Sequence, residues 1–386
     1  MTIAKQSILT CIVMVATSAL AQDSNFTKPL YEVSGLVQKF HLNDPQNQKA
    51  WNGAVGQFEK VVPKLESPHA FVASMNRLLV RFGLPEGALA HRTDQNYWLF
   101  NKQDDGSDKN LQAKFFGARF ERRGHHWYVL DVFPGGPAAQ AQLVAGDEII
   151  ALNGKAFRPV VITNAKNDNQ KYEILFRRDP SEKPKTVSLE PAPLDFTTGY
   201  IRLMQQESRV DVIDSQNIGY LRLPGMRKDF LNTFKNSWQK LGSKLDALVL
   251  DFRRGLPGRD SGFLPLFFTD PDASNHLPLP DTVTILIDEG TQEGLEWIAA
   301  LLRKEKKVHL IGSASAGQLR ESTSLTLKSG PYRLQVLKGD PDELRGLIPD
   351  QPLQPDYLVE APLVYAHGVD EVRRKAIQKT AEWAGK

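Results

Sequence analysis

Cysteine is nearly missing. Among 386 residues there is one, Cys11. It lies in the apolar N-terminal run, so the rest of the chain holds neither a disulfide nor a thiolate nucleophile. An excess of one charge is missing too. The 48 Lys and Arg stand against 45 Asp and Glu, a formal net charge of +3, too balanced to suggest nucleic acid or an anionic membrane as partner. No zinc finger, P-loop or dinucleotide fingerprint occurs, and no cluster of Cys, His or Asp has ligand spacing. Neither a metal nor a cofactor is expected. His125-His126 is no exception, because neighbours on a strand point to opposite faces. Beyond the N-terminus no apolar run is long enough to cross a membrane.

What is present begins with Lys5 and a largely apolar run over residues 8–20, closing on Ala19-Leu20-Ala21. This reads as a signal peptide, residues 1–21, with a small-x-small cleavage site. A membrane anchor is the alternative, but the run is short for a span. The expected location is periplasmic or secreted. The length that remains suggests two or three domains.

The chain then divides by pattern. Residues 26–110 read as a helical cap, with apolar residues at three and four spacing over 51–65 and 70–82. Asn76, Arg77 and Arg81 fall off that stripe, and Leu84-Pro85-Glu86-Gly87 ends it. Tyr97-Trp98-Leu99-Phe100 reads as a strand. Within 111–192, Pro137 suits the first turn of a short helix. Gly146-Asp147 turns into the strand Glu148-Ile149-Ile150-Ala151-Leu152, and Asn153-Gly154 signals a hairpin. The run Val132-Phe133-Pro134-Gly135-Gly136-Pro137-Ala138-Ala139 followed by Gly146-Asp147-Glu148-Ile149-Ile150 resembles a PDZ domain. That resemblance implies a groove in which a peptide or protein C-terminus adds as a strand. The loop Phe115-Phe116-Gly117-Ala118 and Arg119 would form its rim. A domain that only packs on its neighbours remains the alternative.

Residues 193–386 return to strand–helix–strand units. Residues 217–224 and 245–251 read as strands around an amphipathic helix over 230–241. The most informative stretch is 282–318. The apolar run Val283-Thr284-Ile285-Leu286-Ile287 predicts a buried strand, with Thr291 as N-cap of the next helix. Val308-His309-Leu310-Ile311 predicts a second, parallel strand. The small-residue turn Gly312-Ser313-Ala314-Ser315-Ala316-Gly317-Gln318 follows. The helix start and this turn then share one end of the sheet, where open α/β sheets place their sites.

These turns resemble those of the C-terminal-processing serine peptidases (family S41), which carry a PDZ domain and a Ser-Lys dyad. The resemblance implies an α/β fold with a ClpP/crotonase-like core of stacked strand–helix units, an inserted PDZ domain and an N-terminal helical cap. Closing segments fit as well: Gly346-Leu347-Ile348-Pro349-Asp350 resembles the family's Gly-Ile-x-Pro-Asp. At the dyad the chain departs from the family. In Gly290-Thr291-Gln292-Glu293-Gly294 the serine position holds Glu293, and Gln318 holds the lysine position. The oxyanion turn, with Gly258 and Gly294 as its candidate donors, reads Asp251-Phe252-Arg253-Arg254-Gly255-Leu256-Pro257-Gly258-Arg259. With one inserted residue Gly258 keeps the donor; without it Pro257 falls there and has no N–H. Loss of one donor costs about 3 kcal/mol at a transition state. Asp251 and Arg253 are expected to pair near the strand end.

A glutamine amide has no useful pKa and cannot act as base. Acyl transfer to a carboxylate would give an anhydride. The Gln318 amide donating to the Glu293 carboxylate is the expected contact. Three readings are open. One is an exported pseudo-peptidase that binds peptide ends as a scaffold or adaptor. Another is a hydrolase with a displaced nucleophile, drawn from Ser313, Ser315 or Ser322 with help from His91. The third is an enzyme built on Glu293, Glu289, Glu296 and Asp251.

Overall fold

The computed structural model describes residues 26–42, 44–100, 113–163, 170–242, 244–268, 277–305, 308–337, 351–360 and 362–385. The expected cleavage site after Ala21, the loop over 104–109 and the segment 346–350 lie outside the described residues. None of the described helices is long and apolar enough to cross a membrane.

The cap contains α1 (Thr27–Phe40), α2 (Pro45–Glu59), α3 (Pro68–Arg81), β1 (Leu89–His91) and α4 (Gln95–Leu99). Asp44 caps α2 by accepting from Asn47 N–H, and Ser67 caps α3 by accepting from Ala70 N–H, as residues of these types do. Two expectations fail here. Residues 97–100 are not a strand: Gln95–Leu99 is helical, with Tyr97 and Leu99 buried. A short apolar run carries no period that separates the two states. Nor does Asn76 turn away from the interior. Its side chain takes both backbone groups of Leu89, at 2.8 Å each, and pins β1.

The middle unit contains β2 (Ala113–Lys114), β3 (Ala118–Arg123), β4 (His126–Val132), α5 (Pro137–Gln140), β5 (Glu148–Leu152), β6 (Lys155–Ala156), β7 (Ile162–Thr163), β8 (Tyr172–Arg177) and β9 (Lys185–Leu189). Its main sheet runs β3-β4-β5-β8-β9, with β6 on β5, and β2 pairs with β7. Phe116, Phe120, Val129, Ile149, Ile174 and Phe176 fill its own core.

The remainder contains α6 (Phe196–Glu207), β10 (Arg209–Ile213), β11 (Gln216–Arg222), α7 (Lys228–Leu241), β12 (Ala247–Asp251), α8 (Leu264–Phe268), β13 (Thr282–Ile287), α9 (Glu293–Glu305), β14 (Val308–Gly312), β15 (Ser322–Thr326), β16 (Tyr332–Leu337), β17 (Tyr357–Leu358) and α10 (Glu371–Ala384). The sheet order is β10-β11-β12-β13-β14-β17, parallel except for β10 against β11. The apolar runs of β12 and β13 are buried on both faces, as parallel strands require. On one face lie α7, through Phe230 and Phe234, and α9, through Leu295, Ile298 and Leu302. The other face is covered by α10, whose Val372, Ala376, Ile377 and Ala381 pack on Ile218, Val249, Leu286 and Ile311. Arg253 fixes this arrangement. Its guanidinium binds Asp251 at 2.6 Å and Asp370, the N-cap of α10, at 2.7 Å. The expected Asp251–Arg253 pair is therefore present and extends to a third group. Strands β15 and β16 form a separate antiparallel sheet with the N-terminal part, in the order β1-β16-β15.

Candidate functional site

Two loops at the C-terminal ends of β12 and β13 build the site. The first, after Asp251, is held from below: Leu256 N–H donates to Pro224 O at 2.6 Å and Asp260 N–H to Met226 O at 2.8 Å. The second is organised by Asp288, whose Oδ1 accepts from the N–H groups of Gly290 and Arg254, each at 2.9 Å. Burial raises the Asp288 carboxyl above its ordinary value, against the lowering effect of its bond from Arg254 N–H. Thr291 does not cap the helix. Its hydroxyl donates to Phe252 O at 3.1 Å and accepts from Asp288 N–H at 3.0 Å, so it ties the two loops together. The loops meet backbone to backbone. A Cβ on Gly294 would stand 2.5 Å from Met226 Sδ and 2.7 Å from Gly258 O, and only glycine fits there.

Helix α9 opens at Glu293, which is fully buried and left-handed, with φ +52. That conformation is uncommon for a residue with a side chain and costs on the order of 1 kcal/mol or more. It aims the side chain back across the loop junction. There Glu293 Oε2 accepts from the N–H of Gly258 at 2.9 Å. The N–H of this turn that faces Glu293 is therefore that of Gly258. The other candidate donor is also occupied, since Gly294 N–H points at Gly258 O across 3.3 Å. A carboxylate oxygen at a backbone N–H, in the first turn of a helix, is favoured by both the hydrogen bond and the helix dipole.

The expected side-chain bond from Gln318 to Glu293 does not form. Their link is through the main chain, with Glu293 N–H donating to Gln318 O at 2.6 Å. The Gln318 Nε2 is shielded and has no hydrogen-bond partner among the described residues. The geometry differs because the Glu293 carboxylate reaches Gly258 instead. The turn over 312–318 is gripped by Glu296, one helical turn further along α9. Its Oε1 accepts from Gly317 N–H at 2.9 Å and from the Ser315 hydroxyl, and its Oε2 accepts from Gln318 N–H at 2.8 Å. Burial raises the Glu296 carboxyl, and these bonds only partly offset it.

The four carboxylates of the third reading are thus engaged separately. Glu293 meets Gly258, Glu296 meets the 315–318 turn, Glu289 pairs with Arg123, and Asp251 pairs with Arg253. Of the candidate serines, Ser313 lies beside Glu289 and helps to lower that carboxyl, and the other two are committed elsewhere. Ser315 also accepts from Leu353 N–H at 2.7 Å, and buried Ser322 accepts from Gln335 Nε2 at 2.7 Å. His91 is buried in the cap against Tyr332, with Nδ1 2.8 Å from Thr93 Oγ1. No group of three or more His, Cys, Asp or Glu among the described residues is placed to hold a metal. His126 instead meets Glu148 at 2.7 Å.

The five residues expected to rim a peptide groove behave differently. Phe115 is buried against Trp98 and Phe196, and Phe116 packs on Tyr172 inside the middle unit. Their rings join two separate cores rather than face solvent. Gly117 has φ +75, and a Cβ there would stand 2.7 Å from Pro137 Cδ. Ala118 is buried at the start of β3. Arg119 turns toward the α/β core and donates to Arg254 O at 2.8 Å and Tyr200 Oη at 3.1 Å. It joins a buried ionic contact centred on Asp131, which accepts from Arg222 and Tyr200 at 2.9 Å each. Sequence reading missed this contact because its members lie far apart along the chain.

No family model matches the chain. In sequence it is similar to two proteins of Arabidopsis thaliana. Carboxyl-terminal-processing peptidase 2, chloroplastic, is 22% identical over 259 residues, covering 58% of this chain and 49% of that protein. Carboxyl-terminal-processing peptidase 3, chloroplastic, is 20% identical over 343 residues, covering 78% and 63%. The matches thus span less than two thirds of either relative. Among solved structures, mature CPAF superposes with a TM-score of 0.53 at 10% identity, covering 94% of this chain and 98% of that one. The photosystem II D1 C-terminal processing protease gives a TM-score of 0.50 at 16% identity, covering 89% and 97%. The mixed α/β architecture expected from the sequence is therefore that of these proteases.

Proposed function

We propose that this chain, a homologue of the carboxyl-terminal-processing peptidases with their fold, is an exported pseudo-peptidase that holds peptide or protein ends without cutting them. The observation that carries this reading is the Glu293 carboxylate seated on Gly258 N–H. In the S41 pattern that position holds the attacking serine, and that N–H stabilises the oxyanion. Here one side chain removes the nucleophile and occupies the donor at the same time. The lysine position offers a glutamine, which accepts no proton from a hydroxyl at neutral pH.

Retention of the surrounding turns supports a binding role for the scaffold. The 111–192 unit, read as a PDZ domain, supplies the edge strand to which an extended peptide adds. Export rests on the N-terminal signal sequence.

The purified protein tests this reading. A serine-reactive fluorophosphonate should leave it unlabelled, and hexapeptides with free C-termini should come back uncut. Peptide cleavage that is lost when one defined serine becomes alanine would overturn it.

A further inference from the structure

Strand β3 is the outermost strand of its sheet. Such a strand offers its outward N–H and C=O groups to any extended chain. At Phe120 both groups are taken by one side chain. Gln95 Nε2 donates to Phe120 O at 2.6 Å, and Phe120 N–H donates to Gln95 Oε1 at 3.1 Å. A primary amide carries a donor and an acceptor in one plane, so it satisfies a strand residue as a backbone peptide group would. The two residues before Gln95 engage the facing segment. Val161 N–H donates to Thr93 O at 2.8 Å, and Asp94 forms an antiparallel bridge with Val160. Residues 93–95 thus run between β3 and the 160–161 segment. They are fixed from behind, since Asp94 accepts from His91 N–H at 2.9 Å and pairs with His69 at 3.1 Å.

We infer that residues 93–95 are the resident occupant of the strand-addition edge, with Gln95 as the residue that closes it. An outside peptide pairs with β3 only after the Gln95 amide leaves Phe120. The inference rests on the peptide-holding role proposed above. A site open for only a fraction of the time binds more weakly by that fraction.

The test uses the full chain and its Gln95→Ala and Gln95→Met variants; methionine keeps the side-chain length without the amide. Amide hydrogen exchange at Phe120 should quicken up to about tenfold in both variants, the range set by a typical hydrogen bond. The β8–β9 ladder should keep its rates, which separates edge opening from loss of fold. If the alanine variant loosens the whole unit, the methionine variant decides. An equimolar library of hexapeptides with free C-termini should bind the variants about tenfold more tightly than the unaltered chain. Unchanged exchange at Phe120 would overturn the inference. So would equally tight library binding by all three proteins. Faster exchange at Phe120 with no peptide bound by any of them would uphold the occupied edge and sink the peptide-holding role instead.

Discussion

The N–H of Gly258 and the Oε2 of Glu293 lie 2.9 Å apart, joining loops that are 35 residues distant in sequence. Glu293→Ala would leave that buried N–H unpaired, at a cost of roughly 1–3 kcal/mol. Glu293→Gly loses the same bond but relieves the left-handed backbone, which returns about 1 kcal/mol. Urea unfolding should rank the unaltered chain first, glycine second and alanine third. Glycine falling level with alanine would show that φ +52 is held without strain.

Restoring the missing groups tests whether the cradle is intact. Glu293→Ser alone frees Gly258 N–H but supplies no base, and Gln318→Lys alone supplies a base but no hydroxyl. Fluorophosphonate labelling is expected only when both changes are made. A doubly substituted protein that folds and stays unlabelled would mean that the two turns are no longer placed for acyl transfer.

His91 should make the cap sensitive to mild acid. Burial, opposed by the nearby Asp94 carboxylate, lowers its pKa from 6.5 to about 4. Between those values the unfolded chain takes up a proton that the folded chain refuses, so stability falls as the pH drops. The limiting slope is about 1.4 kcal/mol per pH unit. Above pH 6.5 the effect is absent. In His91→Gln, unfolding free energies at pH 7 and pH 5 should lie closer together than in the unaltered chain.

Asp131 acts at lower pH. Burial would raise its carboxyl, but Arg222, Arg254 and Arg119 outweigh burial and hold it well below the ordinary carboxylate range. Its contribution is complete above the unfolded value near 3.8 and is lost as the pH falls further. Asp131→Asn removes one partner of a buried ion pair and should cost about 3–5 kcal/mol at neutral pH. The gap between the two proteins should shrink steadily below pH 4. A gap of constant size down to pH 2 would remove the carboxylate's charge from the account.

The sequence made the central sheet readable because buried parallel strands are written as nearly continuous apolar runs, as in 283–287 and 247–251. Helix α7 showed itself through Phe230, Phe234 and Trp238 at helical spacing. Glu293 and Gln318 drew notice because the turns around them keep their small residues. What each side chain touches was not readable in the same way. Glu293 finds Gly258, Gln95 finds Phe120 and Asn76 finds Leu89 across long stretches of chain, and side-chain-to-backbone bonds of this kind leave no periodic trace. The same holds for β1 with β16, whose pairing joins residues some 240 positions apart (Leu89 and Leu334). At residues 115–116 the limit is the same: two adjacent phenylalanines look alike in sequence, while their rings enter different cores.

Helix α10 has a consequence for how the protein is made. The sheet face formed by Ile218, Val249, Leu286 and Ile311 is covered by residues 372–381. A ribosome completes β11 to β14 long before it reaches that helix. During the interval the nascent sheet presents a bare oily face, and Arg253 waits for Asp370. Chains in that state invite aggregation, so a holding chaperone should bind translation intermediates halted between β14 and α10 and let go once the latch is synthesised.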